Sequence, residues 1–310
     1  MELIRGLHNL HPRHRGSVVT LGNFDGVHVG HQAVLCQAGT HARALGLPMT
    51  AISFEPMPRE FFRVQPAVAR LTRLRERVEA LIAAGCVDRL LVLRFDRQLA
   101  RWSPSEFMRR VLVDGLGARH IVVGDDFRFG RGREGDFQRL AEFGEQHGFG
   151  VEEARSVRVD GVRVSSTAIR EALAAGDLPT AERYLGRPYR MSGRVAHGDK
   201  RGRQIGFPTA NIYLHRALSP VQGVFVVRVQ GAADQTLYGV ANVGPRPTVG
   251  GSEARLEVHL FDFAGDLYGR HLDVDFLHAL RPEKRFDSLP ELIAQIGRDA
   301  EAARAWLADR

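Results

Sequence analysis

Apolar runs alternate with segments of helical spacing along the first 186 residues of the chain. Ser17–Leu21 is a short apolar run that leads into a glycine-rich segment, and Gln32–Leu45 is typical of a helix that stops at Gly46. The later segments are Met49–Phe54, Arg73–Ala84, Arg89–Phe95, a helix from the capping box Ser103–Glu106, His120–Val123 and Phe137–His147. Strands that alternate with helices of this length predict a parallel, doubly wound, Rossmann-like α/β domain.

The pattern changes after Gly186, where short strand-like runs follow one another closely. Turn signals such as Gly231–Asp234 and Gly244–Pro247 separate these runs. The runs are Arg190–Ala196, Gly223–Val229, Leu237–Val243, Leu256–Phe263 and Leu272–Leu277. Closely spaced strands with such turns predict an antiparallel β-barrel or a sandwich, and the pattern leaves both open.

A second capping box, Ser288–Glu291, predicts a final helix that runs toward Ala308. The change of pattern places a domain boundary near Gly186–Pro188. We therefore predict an α/β domain over residues 1–186, followed by a β domain with a terminal helix over residues 187–310.

The composition is typical of a soluble globular protein. The chain has 310 residues, of which 44% are hydrophobic and 25% are charged. No stretch approaches the roughly 20 apolar residues of a membrane-spanning helix, and Met1–Gly16 lacks the apolar core of a secretory signal. The two cysteines, Cys36 and Cys86, form neither a metal-ligand spacing nor a disulfide framework. These features predict a cytoplasmic protein without membrane association.

The net charge of +7 comes almost entirely from arginine, since Lys200 and Lys284 are the only lysines among 43 basic residues. Such an excess indicates binding of nucleic acid, binding of phosphate-bearing small molecules, or a compositional preference of the source. In the second predicted domain the excess is local, because residues 187–203 hold six basic side chains and one acidic side chain. That segment includes a glycine-rich loop, which favours phosphate binding. The excess of the first domain is less local, and compositional preference accounts for much of it.

The string Gly22–His31 carries the first candidate chemistry. It lies between a predicted strand and a predicted helix, at the end of the strand where open α/β sheets bind ligands. His28 and His31, with Gly30 between them, would direct both imidazoles and several backbone N–H groups at one place. Such a site suits a triphosphate, because the departing pyrophosphate gains charge that histidines stabilise. Alternatively, both histidines are caps or surface residues, and a zinc site would need a third ligand nearby.

These residues resemble the HxGH signature of the nucleotidyltransferase superfamily. The longer string GNFDGVHVGH is similar to that of the bacterial bifunctional riboflavin kinase/FAD synthetase family. Val123–Gly130, followed by Gly135 and Asp136, is similar to the second motif of that family. Ser165–Arg170 is similar to its third motif, which in the family helps to hold ATP phosphates. The resemblance extends from about residue 17 to about residue 300, with the motifs in order.

The third motif also has a physical basis of its own. Ser165, Ser166 and Thr167 offer hydroxyls at a predicted helix start, and Arg170 follows one turn later on the same side. Hydroxyls, backbone N–H groups and a guanidinium together form a clamp for polyphosphate. An ordinary N-cap followed by a surface arginine fits the same residues.

The resemblance implies catalytic roles for His28 and His31 and a flavin contact for Phe127. The ATP site that it implies for this domain comprises Asn23, Gly26, His28, Gly30, His31, Asp126, Ser166, Thr167 and Arg170. Met57 departs from the family pattern, since the family usually has histidine there, and methionine neither donates to a phosphate nor titrates. Asp126 stands where many relatives carry asparagine.

The segment Gly130–Gly135 matches the letters of G-x-G-x-x-G. It does not directly follow a strand, because residues 125–129 intervene. We therefore interpret it as a flexible loop and not as a dinucleotide-binding fingerprint.

A glycine-rich basic segment, Gly193–Gly206, begins the second candidate site. Its glycines let the backbone curl around phosphate and its cations neutralise the charge, although a basic surface hairpin fits as well. The candidate ATP ligands in it are Gly198, Lys200, Gly202 and Gly206. Phe207–Asn211 resembles the PTAN motif of riboflavin kinases. Thr209 and Asn211 face the same way on an extended segment, where their oxygens suit a magnesium ion that bridges ATP phosphates.

Glu257 lies between apolar residues on a predicted strand, where an isolated carboxylate is more often a solvated outward residue. In the family the matching glutamate is the general base on the ribityl 5′-hydroxyl. Asn242 and Thr248 border the flavin by resemblance. Phe286 covers the flavin ring or anchors the last helix in the core, and the sequence leaves both open.

Together these motifs predict a bifunctional enzyme of FAD biosynthesis. Its second domain would phosphorylate riboflavin to FMN with Mg²⁺ and ATP, and its first domain would adenylylate FMN to FAD with release of pyrophosphate. A second possibility is another adenylyl- or cytidylyltransferase with a fused β domain, in which Thr209 and Asn211 would have no task. A third is an arginine-rich RNA-binding protein, which requires aromatics interleaved with a basic stripe, whereas 8% of the residues are aromatic. We expect small-molecule substrates and neither a nucleic acid nor a membrane partner.

Overall fold

The computed structural model describes residues 1–197, 206–216, 218–248 and 251–310. The chain forms two compact units. Unit 1 consists of Met1–Ala67 and Thr72–Ser165, and unit 2 consists of Ser166–Arg310 together with Val68–Leu71. The hydroxyl of Tyr189 donates to the carbonyl of Leu71 at 3.0 Å, which ties this short segment to unit 2.

Unit 1 is built on a six-stranded sheet in which every pairing is parallel. The strands are β1 (Glu2–Arg5), β2 (Ser17–Leu21), β3 (Met49–Glu55), β4 (Arg89–Arg94), β5 (Ala118–Gly124) and β6 (Gly150–Ala154). Their order across the sheet is β1-β4-β3-β2-β5-β6. The predicted parallel α/β domain is confirmed. The pattern missed β1 and β6, because these edge strands are too polar to form apolar runs.

Helices cover both faces of this sheet. They are α1 (Val29–Leu45), α2 (Pro58–Phe61), α3 (Leu74–Ala83), α4 (Arg97–Arg101), α5 (Pro104–Phe107) and α6 (Phe137–His147). Val19 packs in one apolar core with Leu140 of α6, whereas its neighbour Val18 packs in a second core with Leu35 of α1. This division follows from the alternation of side chains along a strand.

The helix starts predicted at Ser103, Asp136 and Ser288 are confirmed, whereas α1 begins at Val29, before the predicted Gln32. Ser103 and Glu106 form the expected capping box, and Asp136 accepts from the N–H of Arg139 at 3.0 Å as the cap of α6. The helix after Ser103 is α-helical for four residues and continues as a π-helix over Met108–Gly115. A short β-hairpin, β7 (Arg158–Val159) and β8 (Val162–Arg163), follows later in unit 1.

The central position of β2 explains where a ligand site can form. β2 lies between β3 and β5, and the chain reaches these two strands by separate connections. The loops after β2 and β5 therefore emerge at the same edge of the sheet, at a point where the strand order reverses. Crevices at such points are where open α/β sheets bind ligands.

Unit 2 begins with two helices, α7 (Ser166–Ala174) and α8 (Leu178–Leu185), and continues into a closed antiparallel barrel. Its strands are β9 (Tyr189–Ala196), β10 (Ala210–Tyr213), β11 (Gly223–Gln230), β12 (Leu237–Thr248), β13 (Gly251–Leu260) and β14 (His271–Arg281). They close in the order β10-β13-β12-β11-β14-β9. Of the two architectures that the sequence allows, the structure is therefore the barrel.

The predicted turn at Gly244–Pro247 is wrong, because this segment continues β12 and pairs with β13 as far as Thr248 opposite Gly251. Two prolines in a strand normally argue against pairing, since each lacks an N–H donor. Here β11 ends its pairing at Gly223 opposite Val243. The prolines lie beyond that point, where a missing donor toward β11 has no cost.

The predicted C-terminal helix is α9 (Leu289–Ala308), with Ser288 as its N-cap. Ala303 of this helix packs with Val226 and Phe261 on the barrel. Arg281 of β14 donates to Asp299 of α9 with N–O distances of 2.7 to 3.1 Å. Among the described helices, none is long and apolar enough to cross a membrane.

Candidate active sites

The loop between β2 and α1 adopts an unusual backbone conformation. Phe24 and Val27 have φ values of 49° and 44°, in the left-handed region that residues other than glycine seldom enter. A β-branched residue there is strained and persists only where its surroundings hold it. The buried carboxylate of Asp25 provides such a hold, because it accepts from the N–H of Thr72 at 2.9 Å and from its hydroxyl at 3.2 Å. The same hydroxyl accepts from the N–H of Gly26 at 2.9 Å.

His28 is the N-cap of α1, and its ring Nδ1 accepts from the backbone N–H of His31 at 3.2 Å. The two imidazoles stack with ring centroids 3.6 Å apart and planes 17° apart. A Cβ atom on Gly30 would lie 3.1 Å from two atoms of the His28 ring. The glycine of the motif therefore makes room for His28, while its predicted approach to a phosphate chain stays a prediction.

The hydrogen bond at Nδ1 decides the tautomer of His28. A ring nitrogen that accepts a hydrogen bond carries no proton, so a neutral His28 carries its proton on Nε2. This N–H can donate to a ligand oxygen. The arrangement fits the predicted donation to a departing pyrophosphate.

The pKa of His31 is lowered well below its ordinary value, because burial disfavours its charged form and His28 and Arg77 add positive potential. Its Nδ1 atom is buried and has no hydrogen-bond partner within the described part of the chain. Phe24 contacts the ring edge-on at a centroid distance of 5.4 Å. His31 is thus a neutral imidazole at physiological pH.

Arg77 of α3 is a residue that the sequence reading missed. It is fully buried, and its Nη1 donates to the hydroxyl of Ser53 at 2.7 Å, while Nη2 lies 3.1 Å from a carboxylate oxygen of Glu55. Ser53 in turn donates to the carbonyl of Asn23 at 3.2 Å. Arg77 therefore links the end of β3 to the loop after β2. On an amphipathic helix nothing in the sequence distinguishes this arginine from exposed ones.

Three further candidates lie at the carboxyl ends of β2 and β5. Asn23 is exposed directly after β2, and Asp126 is exposed after β5, with a carboxylate oxygen 3.5 Å from Arg163. Phe127 is half-buried and stacks on Phe129 at a centroid distance of 5.1 Å. Because β2 and β5 are parallel neighbours, these side chains start from one edge of the sheet.

Met57 and the third motif occupy different units. Met57 of unit 1 is 7% exposed, so the residue at the departure from the family pattern is buried. Ser166, Thr167 and Arg170 lie in the first turns of α7, in unit 2. Thr167 is exposed, and Nε of Arg170 donates to the carbonyl of Ala69. A joint role with His28 stays a prediction.

Three predicted residues of the second site share one row across the barrel. Glu257 of β13 lies directly opposite Asn211 of β10 on one side and Asn242 of β12 on the other. Directly opposed residues of antiparallel strands project to the same face. The neighbours of Glu257 on β13, Leu256 and Val258, are buried, whereas Glu257 is half-buried. The row therefore lies on the outer face of the barrel.

Arg255 is a second residue that the sequence reading missed. Its Nη1 lies 3.5 Å from a carboxylate oxygen of Glu257, and its guanidinium lies over the ring of Tyr213 at 5.5 Å. Thr209 is exposed just before β10. The carbonyl of Pro208, next to Thr209, lies 2.9 Å from Nδ1 of His259. The amide of Asn211 and the carboxylate of Glu257 therefore share one face, with the Arg255 guanidinium beside the carboxylate, while the part of Thr209 in this site stays a prediction.

Several predicted residues can be placed only in part. Gly198, Lys200 and Gly202 lie outside the described residues, as does the side chain of Thr248. Gly206 is exposed with a φ of 84°. Phe286 is half-buried, with the Arg281 guanidinium and the Lys284 ammonium 5.8 and 5.7 Å from its ring centre.

Part of the basic excess in residues 187–203 has a structural task. Arg190 of β9 donates to Asp275 at 2.6 Å, and Asp275 also accepts from Arg228 at 2.8 Å. Asp275 is buried, so these arginines neutralise a buried carboxylate of the barrel. The prediction of phosphate binding by this segment rests on its remaining cations.

The fold and the two sites define a nucleotidyltransferase-type α/β unit in one chain with an antiparallel barrel. The family model described as FAD synthetase matches residues 10–168, and the model described as riboflavin kinase matches residues 185–307. The chain belongs to the bifunctional riboflavin kinase/FMN adenylyltransferase family.

Similar proteins match over the whole length. A protein of Pseudomonas fluorescens with this family name is 54% identical over 310 residues, which is 99% of this chain and 98% of the relative. One of Escherichia coli strain K12 with the same name is 51% identical over 307 residues, with the same coverage. A solved structure from Streptococcus pneumoniae, titled a macrolide-efflux protein, has a TM-score of 0.83 at 33% identity and covers 99% of this chain and 100% of its own.

Proposed function

We propose that this chain converts riboflavin into FAD in two ATP-dependent steps, with a kinase domain over residues 187–310 and an adenylyltransferase domain over residues 1–186. The observation that carries the proposal is that one chain matches both family models over nearly its whole length. The row of Asn211, Glu257 and Asn242 and the stacked pair of His28 and His31 supply a candidate site for each step.

In the first step the 5′-hydroxyl of riboflavin attacks the γ-phosphorus of ATP. Its oxygen forms the new P–O bond, the bond to the β-phosphate oxygen breaks, and ADP leaves. Glu257 accepts the hydroxyl proton, and Arg255 stands beside it as a fixed cation. Asn242, Thr248 and Phe286 contact the flavin.

The hydroxyl of Thr209 and the amide oxygen of Asn211 are hard oxygen donors, and they fit Mg²⁺. When bound, the ion neutralises charge on the ATP phosphates. Asn211 is buried and opposite Glu257, so both act at one place on the barrel surface. The remaining ATP contacts come from Gly198, Lys200, Gly202 and Gly206.

In the second step a phosphate oxygen of FMN attacks the α-phosphorus of a second ATP. A new P–O–P linkage forms, the bond between the α-phosphorus and the bridging oxygen breaks, and pyrophosphate leaves. The FMN phosphate is already an anion, so no protein nucleophile is needed. His28 donates from Nε2, and neutral His31 supplies a second donor to the oxygens that gain charge.

Further residues are proposed to bind the two substrates of this step. Phe127 contacts the flavin of FMN. Binding of ATP falls to Asn23, Gly26, Gly30, Asp126, Ser166, Thr167 and Arg170. The substrates are therefore riboflavin, FMN and ATP, with no nucleic acid or membrane partner, and the protein acts in the cytoplasm.

The direct test is to incubate the purified full chain with riboflavin, ATP and MgCl₂ and to separate the flavins by chromatography. FMN should appear first and FAD afterwards, and excess EDTA should stop both. A reaction that yields neither product refutes the proposal. Tight, salt-sensitive RNA capture on filters without ATP turnover would instead favour the RNA-binding alternative.

A further inference from the structure

A third cluster of chemistry-bearing side chains lies in unit 1, toward the other end of α1 from the catalytic histidines. It consists of His41 near the end of α1, His120 on β5 and Glu152 on β6. One ligand atom from each residue lies within 4.8 Å of the others. His41 is ten residues after His31, which corresponds to about 15 Å along a helix.

The fold brings these residues together although they are far apart in sequence. β5 and β6 are parallel neighbours, with His120 opposite Gly150 and Val122 opposite Glu152. A Cβ on Gly150 would lie 2.6 Å from Nδ1 of His120, so the glycine provides the space in which this ring lies. The two imidazoles of the cluster stack at a centroid distance of 4.0 Å.

The carboxylate of Glu152 is directed at both rings. Its Oε2 lies 2.6 Å from Nε2 of His41 and 3.5 Å from Nε2 of His120, while Oε1 accepts from Gln37. Nε2 of His120 is buried without a hydrogen-bond partner among the described residues. A fixed carboxylate, held at its other oxygen by an amide, is the support that metal ligands commonly have.

We propose that His41, His120 and Glu152 bind a divalent transition metal of the zinc class. Two imidazole nitrogens and one carboxylate oxygen suit Zn²⁺, Co²⁺ or Ni²⁺ better than Mg²⁺, which prefers oxygen ligands. Ligands at about 2.0–2.1 Å from a tetrahedral ion lie roughly 3.3 Å apart, and the observed separations of 2.6 and 3.5 Å bracket that value. Because the residues are partly exposed, water completes the coordination.

The bound ion takes the place of the hydrogen bond between His41 and Glu152, and the displaced proton passes to the solvent. It ties the end of α1 to β5 and β6, and thereby stiffens the helix whose first turn carries His28 and His31. A ligand that binds the folded state alone raises its stability. The site is structural, since His41 lies about 15 Å along α1 from the proposed adenylyltransferase residue His31.

The test uses the full chain, stripped of metal with EDTA and dialysed. ZnCl₂ is titrated by calorimetry into the wild type, into His41→Ala and Glu152→Gln, and into the control variant His28→Ala. We expect the wild type and the control to bind one equivalent of Zn²⁺. The variants His41→Ala and Glu152→Gln should not bind it. Zn²⁺ should also raise the melting temperature of the wild type and the control only.

The control separates this site from the histidines at the start of α1. If His28→Ala loses the equivalent while Glu152→Gln retains it, the ion binds at the catalytic histidines and the proposal fails. It fails equally if no variant differs from the wild type, or if the wild type binds no Zn²⁺. Absorption of Co²⁺-loaded protein should show tetrahedral coordination that is absent in His41→Ala. Because His41 is partly exposed, its replacement by alanine leaves the core intact.

Discussion

The Nδ1 atom of His28 accepts a hydrogen bond from the backbone N–H of His31, 3.2 Å away, so one catalytic candidate caps the helix that carries the other. This contact orients the His28 ring and leaves its Nε2–H to act as a donor. The His28 side chain therefore has two roles, as the cap of α1 and as a candidate hydrogen-bond donor to the substrate. Variants at this position should separate the two roles.

His28→Asn should retain the helix cap but lose the Nε2–H donor, whereas His28→Ala should lose both. Asparagine is among the best N-caps, so we expect a loss of about 0.5–2 kcal/mol in unfolding free energy for alanine and less for asparagine. Both variants should form FMN from riboflavin and slow FAD formation by about 10²–10³-fold. Chromatography and thermal unfolding give the two readouts. If His28→Asn forms FAD at the normal rate, His28 acts as a helix cap and its Nε2–H donor is not needed for the reaction.

Glu257→Gln should abolish the base while keeping the size of the side chain. We expect FMN formation to fall by about 10²–10⁴-fold, because proton transfer from the 5′-hydroxyl is lost. Conversion of supplied FMN to FAD should not change. Glu301→Gln, on an exposed position of α9, is the matched control and should affect neither rate. Equal loss of both activities in Glu257→Gln would contradict the division into two sites.

Met57→His should restore the residue that the family usually has, and we expect it not to slow FAD formation from FMN. Met57 is 7% exposed, so the imidazole must fit a buried position, and a small fall in melting temperature is expected. Met57→Leu is the control for packing. A large loss of FAD formation in Met57→His alone would show that methionine is an adapted choice in this chain.

The free energy of unfolding should decrease as the pH is lowered, because His31 titrates differently in the folded and unfolded states. Its pKa in the folded protein is well below 6.5, mainly because of burial, while the unfolded chain takes up a proton near pH 6.5. Unfolding below that pH therefore binds a proton, and stability that is complete above about pH 6.5 decreases by up to about 1.4 kcal/mol per pH unit. The stability difference between wild type and His31→Gln should therefore shrink as the pH falls, and chemical denaturation at a series of pH values measures it. If the unfolding free energies of His31→Gln and the wild type change with pH in the same way, the prediction is wrong.

Cys36 and Cys86 should form a disulfide under oxidation, since their sulfur atoms lie 2.6 Å apart. Burial raises the pKa of Cys86 to about 11, so peroxide should oxidise Cys36 first, and Cys86 then displaces water to close the bond. Mass spectrometry should show the loss of two hydrogens, reversed by dithiothreitol and absent in Cys86→Ser. Two titratable thiols after peroxide treatment would contradict the prediction.

Local patterns predicted the elements that bury apolar faces or begin at capping residues. β2 is fully buried and β5 contains the apolar run that begins at Ile121, and the caps Ser103, Asp136 and Ser288 occupy their predicted places. The edge strands β1 and β6 were missed because they expose much of their surface and so carry polar residues. The prolines of β12 led to the wrong prediction of a turn. The free-energy cost of a proline in a strand depends on whether a neighbouring strand needs the missing N–H donor.

By itself, the sequence determined the alternation of the first domain, the strand-rich second domain and the two motif strings that hold His28, His31, Thr209 and Asn211. These features arise from neighbours in the chain, so periodicity and spacing reveal them. Tertiary structure alone decided that the second domain closes into a barrel, because alternation along a strand is the same in a sandwich. It also decided the contacts of Arg77, of Arg255 and of the cluster His41, His120 and Glu152. Those contacts join residues from separate elements, and only the packing of sheet and helices brings them within bonding distance.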